Sequence, residues 1–280
     1  MREFLRSSIY YNRHVTDEAF FVGHAEQKYR QLGGPGGHLG WPISDDQPDR
    51  AEPSGAVGVT RFQNGAIYWW PDIGAIEMLP VVLRFVGLHC FRTTSGPGSD
   101  EPYATFGPVS VNGGRSDPPP QSRIFEDVDS SESHGDSLEL YRGLPFGLTL
   151  VMTLAEHDEG DPHKYKDEVE NLVDKAGDAI AEALTAVPAV GTLLSVAASV
   201  GFALAGPTIA EKLSELLGTD DDFIATHEVQ LTGKELMRMA RDEDTDFDRV
   251  GIPASFASPM LSGDGGTYKL YFSVVTPGRV

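Results

Sequence analysis

Four aromatic side chains that lie close together in the sequence have the chemistry to contact a sugar. Trp41, Tyr68, Trp69 and Trp70 fall within one stretch of about thirty residues, and flat rings with a polar edge suit both stacking and core packing. Side chains alternate across a strand, so Tyr68 and Trp70 should share one face and Trp69 should lie on the other. We expect most of these rings to form a small core and at least one to remain exposed for a glycan.

Acidic residues in three short stretches form a second candidate site. Calcium binds about six to eight oxygen atoms and prefers carboxylates, and carboxylates gathered at one edge repel one another without a cation. The alternative is a solvated acidic surface that keeps the protein soluble. The predicted calcium ligands are Asp100, Glu101, Glu156, Asp158, Asp161, Asp220, Asp221 and Asp222.

The charge and cysteine content exclude some classes of protein. The chain has 280 residues and a net charge of -20, which argues against nucleic acid as a partner because phosphate binding needs clustered Lys and Arg. Cys90 is the only cysteine, so no disulfide can form within the chain. Its apolar surroundings predict a buried, inert thiol.

Sequence signals for catalysis are absent. The chain has no G-x-S-x-G elbow, no phosphate-binding loop, no H-E-x-x-H and no dinucleotide fingerprint after a strand. The histidines are scattered without the spacing of metal ligands. We therefore expect a binding protein and not an enzyme.

The segment around the aromatic cluster resembles the LGFP repeat of actinobacterial cell-envelope proteins. In that repeat a Leu-Gly-aromatic-Pro element precedes a Phe, a Gly and an aliphatic-Tyr-aromatic strand. The resemblance covers residues 24–79 and implies a small β unit that contacts a cell-wall glycan or another envelope component. The matching positions are Gly33, Gly34, Leu39, Gly40, Trp41, Pro42, Phe62, Gly65, Ile67, Tyr68, Trp69 and Gly74.

Three shorter stretches are similar to the calcium-binding loops of C-two domains. They are the Ser-Asp-Glu-Pro-Tyr start at Ser99, the acidic strand end at Glu156 and Asp158, and the Asp-Phe-Ile-Ala element at Asp222. Ala225 replaces the glycine of the family pattern. The resemblance implies an antiparallel β-sandwich with a cation at one edge, where the family meets lipid.

The strand and helix patterns divide the chain into three parts. We predict a mainly β fold with an N-terminal arm over residues 1–22, an LGFP-like module over 23–79 and a C-two-like sandwich over 80–280. A helical insertion is predicted at about 163–218. Within it, the stretch from Ala183 to Ala210 contains no charged residue. Proline and glycine interrupt this stretch, which favours a buried helical hairpin over a membrane span.

These patterns together predict a non-catalytic protein that is secreted or associated with the cell envelope. It would bind a glycan through Trp41, Tyr68, Trp69 and Trp70, and calcium at the sandwich edge. One alternative is a membrane-active, toxin-like protein that inserts residues 183–210 into lipid, and another is a hydrolase with an accessory LGFP module. The first residues lack the apolar core of a signal peptide, so the export route stays open.

Overall fold

The computed structural model describes residues 3–4, 7–15, 17–46, 56, 58–96, 98–110, 120–145, 147–157 and 223–277. These residues divide into two compact units. One comprises the described residues up to Leu79, and the other comprises those from Pro80 onwards.

The first unit has two three-stranded antiparallel sheets and one short α-helix. The sheet orders are β1-β2-β3 and β4-β5-β6, and a single 3₁₀ turn at Gly34–Gly36 follows helix α1. The elements are β1 (Glu3–Phe4), β2 (Ser7–Tyr11), β3 (Ala19–Val22), α1 (Glu26–Gln31), β4 (Gly58–Phe62), β5 (Gly65–Trp70) and β6 (Gly74–Glu77).

Both sheets and the helix contribute to one hydrophobic core. Tyr10 and Val22 from the first sheet lie in the same cluster as Tyr29 of α1 and as Phe62 and Ile67 of the second sheet. Burial of large apolar side chains supplies most of the stability of so small a unit. The segment 1–22, predicted as an arm, therefore supplies strands to the same unit as residues 23–79.

The second unit is built from two antiparallel sheets and one α-helix. One sheet has the order β11-β10-β8, and the other has the order β12-β14-β7-β9 with β13 paired to β14. The elements are β7 (Val81–Arg92), β8 (Pro102–Ser110), β9 (Ser133–Gly143), β10 (Leu148–Glu156), β11 (Phe223–Leu231), α2 (Gly233–Met239), β12 (Phe256–Ala257), β13 (Leu261–Gly263) and β14 (Gly266–Val275).

Phenylalanine side chains join the two sheets of this unit. Phe106 of β8 meets Phe85 of β7 with ring centroids 5.0 Å apart, and it meets Phe272 of β14 at 5.9 Å. All three rings are fully buried, as expected for the inner faces of a sandwich. The predicted mainly β fold is confirmed.

The strand predictions from hydrophobic patterning correspond to observed strands. Alternating or continuous apolar stretches that begin at Leu83, Ser137, Leu148 and Tyr268 predict strands, and these stretches lie in β7, β9, β10 and β14 respectively. Cys90 is buried, as expected, and burial raises the pKa of its thiol.

Helix α2 was not predicted, although the sequence carries a signal for it. The Thr232 hydroxyl accepts a hydrogen bond from the Glu235 backbone amide, and the Glu235 side chain accepts one from the Thr232 amide. This capping box satisfies two backbone donors at the start of the helix. The pattern Thr-x-x-Glu before Leu236 and Met237 identifies it.

The predicted helical insertion at 163–218, including its uncharged stretch, lies outside the described residues. In the part of the chain that the structure describes, no helix is long and apolar enough to cross a membrane.

Candidate functional site

The residues Leu39, Gly40, Trp41 and Pro42 form a tight turn that packs on the β4–β5 hairpin. Leu39 is buried in the core of the first unit, and Pro42 forms an isolated bridge with Phe62 at the end of β4. The carbonyl oxygen of Trp41 accepts a 3.0 Å hydrogen bond from the Gln63 amide. The turn therefore fixes where the hairpin reverses direction.

Gly40 allows this turn to approach the hairpin. Its φ is +71°, a region that residues with a Cβ seldom adopt. A Cβ on Gly40 would also lie 2.6 Å from Oε1 of Gln63. That oxygen accepts a 2.9 Å hydrogen bond from the Trp41 amide, so glycine makes room for the contact that holds the turn.

The alternation of β5 separates the four candidate aromatic residues into two groups. Tyr68 and Trp70 are buried, at 0% and 2% exposure, and their rings stack with centroids 6.2 Å apart. Their burial removes them from the predicted glycan-binding surface. Trp69 and Trp41 are partly exposed, and these two rings are the ones that a ligand can reach.

Trp69 lies in a groove, where its ring is stacked on His24. The two ring centroids are 4.0 Å apart and the ring planes are inclined by 26°. The strand neighbours of Trp69 are Gly58 on β4 and Ala75 on β6, which are small. The indole therefore has space to lie across the sheet next to the imidazole.

Asp46 holds His24 in this position. Its Oδ2 accepts a 2.6 Å hydrogen bond from the His24 amide and lies 2.9 Å from Nδ1 of the His24 ring. The Asp46 side chain is only 5% exposed, whereas that of His24 is 54% exposed. Gly23 permits the approach, since a Cβ there would lie 2.5 Å from the same oxygen.

Helix α1 gives the groove a second, charged wall. The buried carboxylate of Glu26 accepts hydrogen bonds from the Ser8 hydroxyl at 2.8 Å and from the Tyr10 hydroxyl at 3.1 Å. Arg30 donates from Nε to the same carboxylate and from Nη2 to the Ser8 hydroxyl. These contacts link β2 to α1 and so fix the shape of the wall.

The groove has a volume of about 1300 Å³ and combines the Trp69 and Phe21 rings with several polar side chains. Such a composition suits a ligand with both apolar faces and hydroxyl groups. Its lining in the described residues is Ser7, Phe21, Gly23, His24, Glu26, Gln27, Lys28, Arg30, Gln31, Asp46, Trp69, Gly74 and Ala75.

The Leu39–Pro42 turn and the β4–β5 hairpin belong to one sequence repeat of a known family. Residues 39–80 match the LGFP repeat. The match contains the Leu39–Pro42 turn and the sheet β4-β5-β6, and LGFP repeats occur in cell-envelope proteins, so the first unit carries a module of the envelope-associated kind. No curated protein and no solved structure matches the chain significantly.

Outside the LGFP repeat, the structure gives Asp100 a different environment from the one predicted. Its carboxylate is buried and accepts 2.8 Å hydrogen bonds from the backbone amide and the hydroxyl of Thr94. The Tyr268 hydroxyl donates to it as well. Both burial and this hydrogen bond raise the pKa of Tyr268. Protein donors thus surround the carboxylate that was expected to bind calcium.

The other predicted calcium ligands are described only in part. Glu101 accepts a 3.0 Å hydrogen bond at its carbonyl from the His157 amide, and Glu156 is buried opposite Pro102 at the end of β10. Within the described ranges no cluster of three acidic, His or Cys side chains is arranged to hold a metal. Outside the described residues are Asp158, Asp161, Asp220, Asp221 and Asp222.

Sequence reasoning did not select His24, Asp46 or the residues of α1 as parts of a site. His24 and Asp46 are 22 positions apart and share no motif. The available signal was local: the Gly23-His24 pair precedes a short helical pattern, and two successive aspartates follow the Leu39–Pro42 turn. Only the fold shows that these segments meet.

Proposed function

We propose that the first unit binds a cell-envelope glycan in the groove that contains Trp69. The single observation that carries this proposal is a partly exposed indole, stacked on His24, in a groove that also presents the polar side chains of α1. Flat sugar faces stack on aromatic rings, and their hydroxyls need donors and acceptors beside the ring. The match of residues 39–80 to the LGFP repeat supports an envelope component as the ligand.

The polar residues of the groove suit a neutral or weakly charged glycan. Gln27 and Gln31 lie one turn apart on α1 and offer both donors and acceptors. Lys28 and Arg30 contribute positive charge, and Asp46 and Glu26 contribute negative charge. The two carboxylates are nearly buried against protein donors, so a hydroxyl-rich ligand finds its donors and acceptors at the exposed Gln27 and Gln31 amides. We therefore propose binding and not catalysis as the role of this groove.

The test is a calorimetric titration of the whole chain with purified cell-wall polysaccharide. A pull-down on insoluble cell wall provides a second measure of binding. Trp69→Ala should weaken binding about fivefold or more, which is the lower end of the effect of losing one stacking contact. Phe247→Ala is the matched control, because Phe247 is a 47% exposed ring in the second unit. Equal binding by the wild type and by Trp69→Ala would remove the proposal.

A further inference from the structure

A second groove lies in the first unit and contains the other partly exposed tryptophan. It has a volume of about 680 Å³. The Trp41 ring meets Tyr10 edge-on, with centroids 6.5 Å apart, and Tyr11 beside it is 57% exposed. Ile9 and Tyr10 of β2 line it as well. Aromatic and apolar surface therefore dominates this groove.

The two grooves share one side chain and are connected by strand β2. Arg30 lines both of them, and its side chain is 47% exposed. Strand β2 passes from Ser7 in the first groove to Ile9 and Tyr11 in the second, and a strand of this length spans about 17 Å. A ligand that extends along β2 can therefore reach both tryptophan residues.

We propose that the two grooves are successive subsites for one polysaccharide chain, with Arg30 between them. This inference rests on the proposed function, since it assumes that the Trp69 groove holds a glycan. A sugar chain presents a ring face and hydroxyl groups at every residue, so the same polymer can stack on Trp69, contact the guanidinium of Arg30 and stack on Trp41. The ligand class is thus an extended polysaccharide of several sugar rings and not a mono- or disaccharide.

A chain of other chemistry fits the pair of grooves less well. An acyl chain complements the apolar groove at Trp41 but not the charged wall formed by α1, where burying polar groups without partners is unfavourable. A proline-rich peptide would stack on the rings at Trp41 and Tyr11, but it offers few hydroxyl groups to Gln27 and Gln31. The sharing of Arg30 by both grooves favours one long polar polymer.

The experiment compares long and short ligands on the full chain. Purified cell-wall polysaccharide is partly hydrolysed, its fragments are separated by size, and the affinity of each fraction is measured by calorimetry. Trp41→Ala should lower the affinity for long fragments about five- to 150-fold and leave the affinity for the shortest bound fragments unchanged. Trp69→Ala should weaken the binding of long and short fragments alike.

Trp41 also packs against the core, so a second variant guards against a folding defect. Tyr11→Ala removes an exposed ring from the same groove and should repeat the length-dependent loss, while Phe247→Ala should not. The inference is overturned if Trp41→Ala and Tyr11→Ala leave long fragments bound at full affinity, or if they weaken short and long fragments equally. It is also overturned if they abolish binding of a proline-rich peptide or a fatty acid and spare the polysaccharide.

The outcome separates the inference from the proposal on which it rests. If Trp69→Ala weakens binding and the two variants of the second groove do not, only the two-subsite inference fails. If the polysaccharide does not bind, or binds to Trp69→Ala as to the wild type, the proposed function fails as well.

Discussion

The hydroxyl of Tyr29 donates a 2.6 Å hydrogen bond to the carbonyl oxygen of Gly40. Tyr29 belongs to helix α1, which precedes the LGFP repeat, and Gly40 belongs to the turn at the start of the repeat. The helix therefore holds the turn from outside the matched residues. Burial raises the pKa of this phenol, so it remains a protonated donor throughout the physiological pH range.

Replacing Tyr29 with phenylalanine should destabilise the first unit by about 1–3 kcal/mol, because the variant leaves a carbonyl oxygen without its donor in a buried position. Urea unfolding followed by tryptophan fluorescence measures the change. Tyr11→Phe is the matched control: its hydroxyl bonds to Asp17 at an exposed position, and such changes stay within about 0.5 kcal/mol. Equal losses in the two variants would contradict a special role for the Tyr29–Gly40 contact.

Replacing Asp100 with asparagine should lower the free energy of unfolding by about 2–4 kcal/mol. The carboxylate accepts from Thr94 and Tyr268 while buried, and hydrogen bonds to charged groups are stronger than neutral ones. The side-chain N–H₂ of asparagine would also face Thr94 or the Tyr268 hydroxyl, which are themselves hydrogen-bond donors to this position. The loss should be the same in calcium and in chelator, and a loss that appears only in calcium would show that Asp100 serves a metal.

Calcium binding by the remaining acidic residues stays a prediction with its own test. Millimolar calcium should raise the melting temperature of the wild-type chain, because a ligand that binds only the folded state stabilises it. Asp158→Asn combined with Asp222→Asn should remove the shift, whereas Asp242→Asn, at an exposed acid in another loop, should keep it. Superimposable melting curves in calcium and in chelator would end this prediction.

Acidification should destabilise the second unit through His89. The ring is buried and lies 2.8 Å from the Ser133 hydroxyl, and burial lowers its pKa although Asp248 acts in the opposite direction. At a pH between the folded and unfolded pKa values, the His89 ring binds a proton in the unfolded chain but not in the folded chain. The contribution of neutral His89 to the free energy of unfolding is therefore fully present above the ordinary histidine pKa of about 6.5. It declines as the pH falls from there towards the lowered pKa of the folded state.

The measurement is urea unfolding at about pH 7.5 and at about pH 5.5, on either side of that pKa. His89→Gln should reduce the difference between the two conditions. His227→Gln should reduce it too, since burial also lowers the pKa of His227, and the double variant should show the smallest difference. A wild-type protein that is more stable at the lower pH would contradict the assignment.

The sequence predicted those parts of the fold that depend on local patterns. The strand containing Trp69 and the strands of the sandwich have a periodicity and flanking turn residues that can be read along the chain. The buried state of Trp70 was not assignable in the same way, because a strand pattern says which side chains share a face but not which face is covered. The pairing of His24 with Asp46 joins two loops and depends on tertiary structure alone.

The ladder between β10 and β11 pairs Ala155 with Phe223, although residues 157–222 separate the two strands in the sequence. The chain thus leaves the sheet and returns to it at adjacent points, as it does in an ordinary β-hairpin. Because the end of β10 and the start of β11 are adjacent in the ladder, a linker of a few glycine and serine residues could join the two strands directly. A variant in which such a linker replaces residues 158–222 therefore offers a way to assay what these residues do while the register of the sheet is kept.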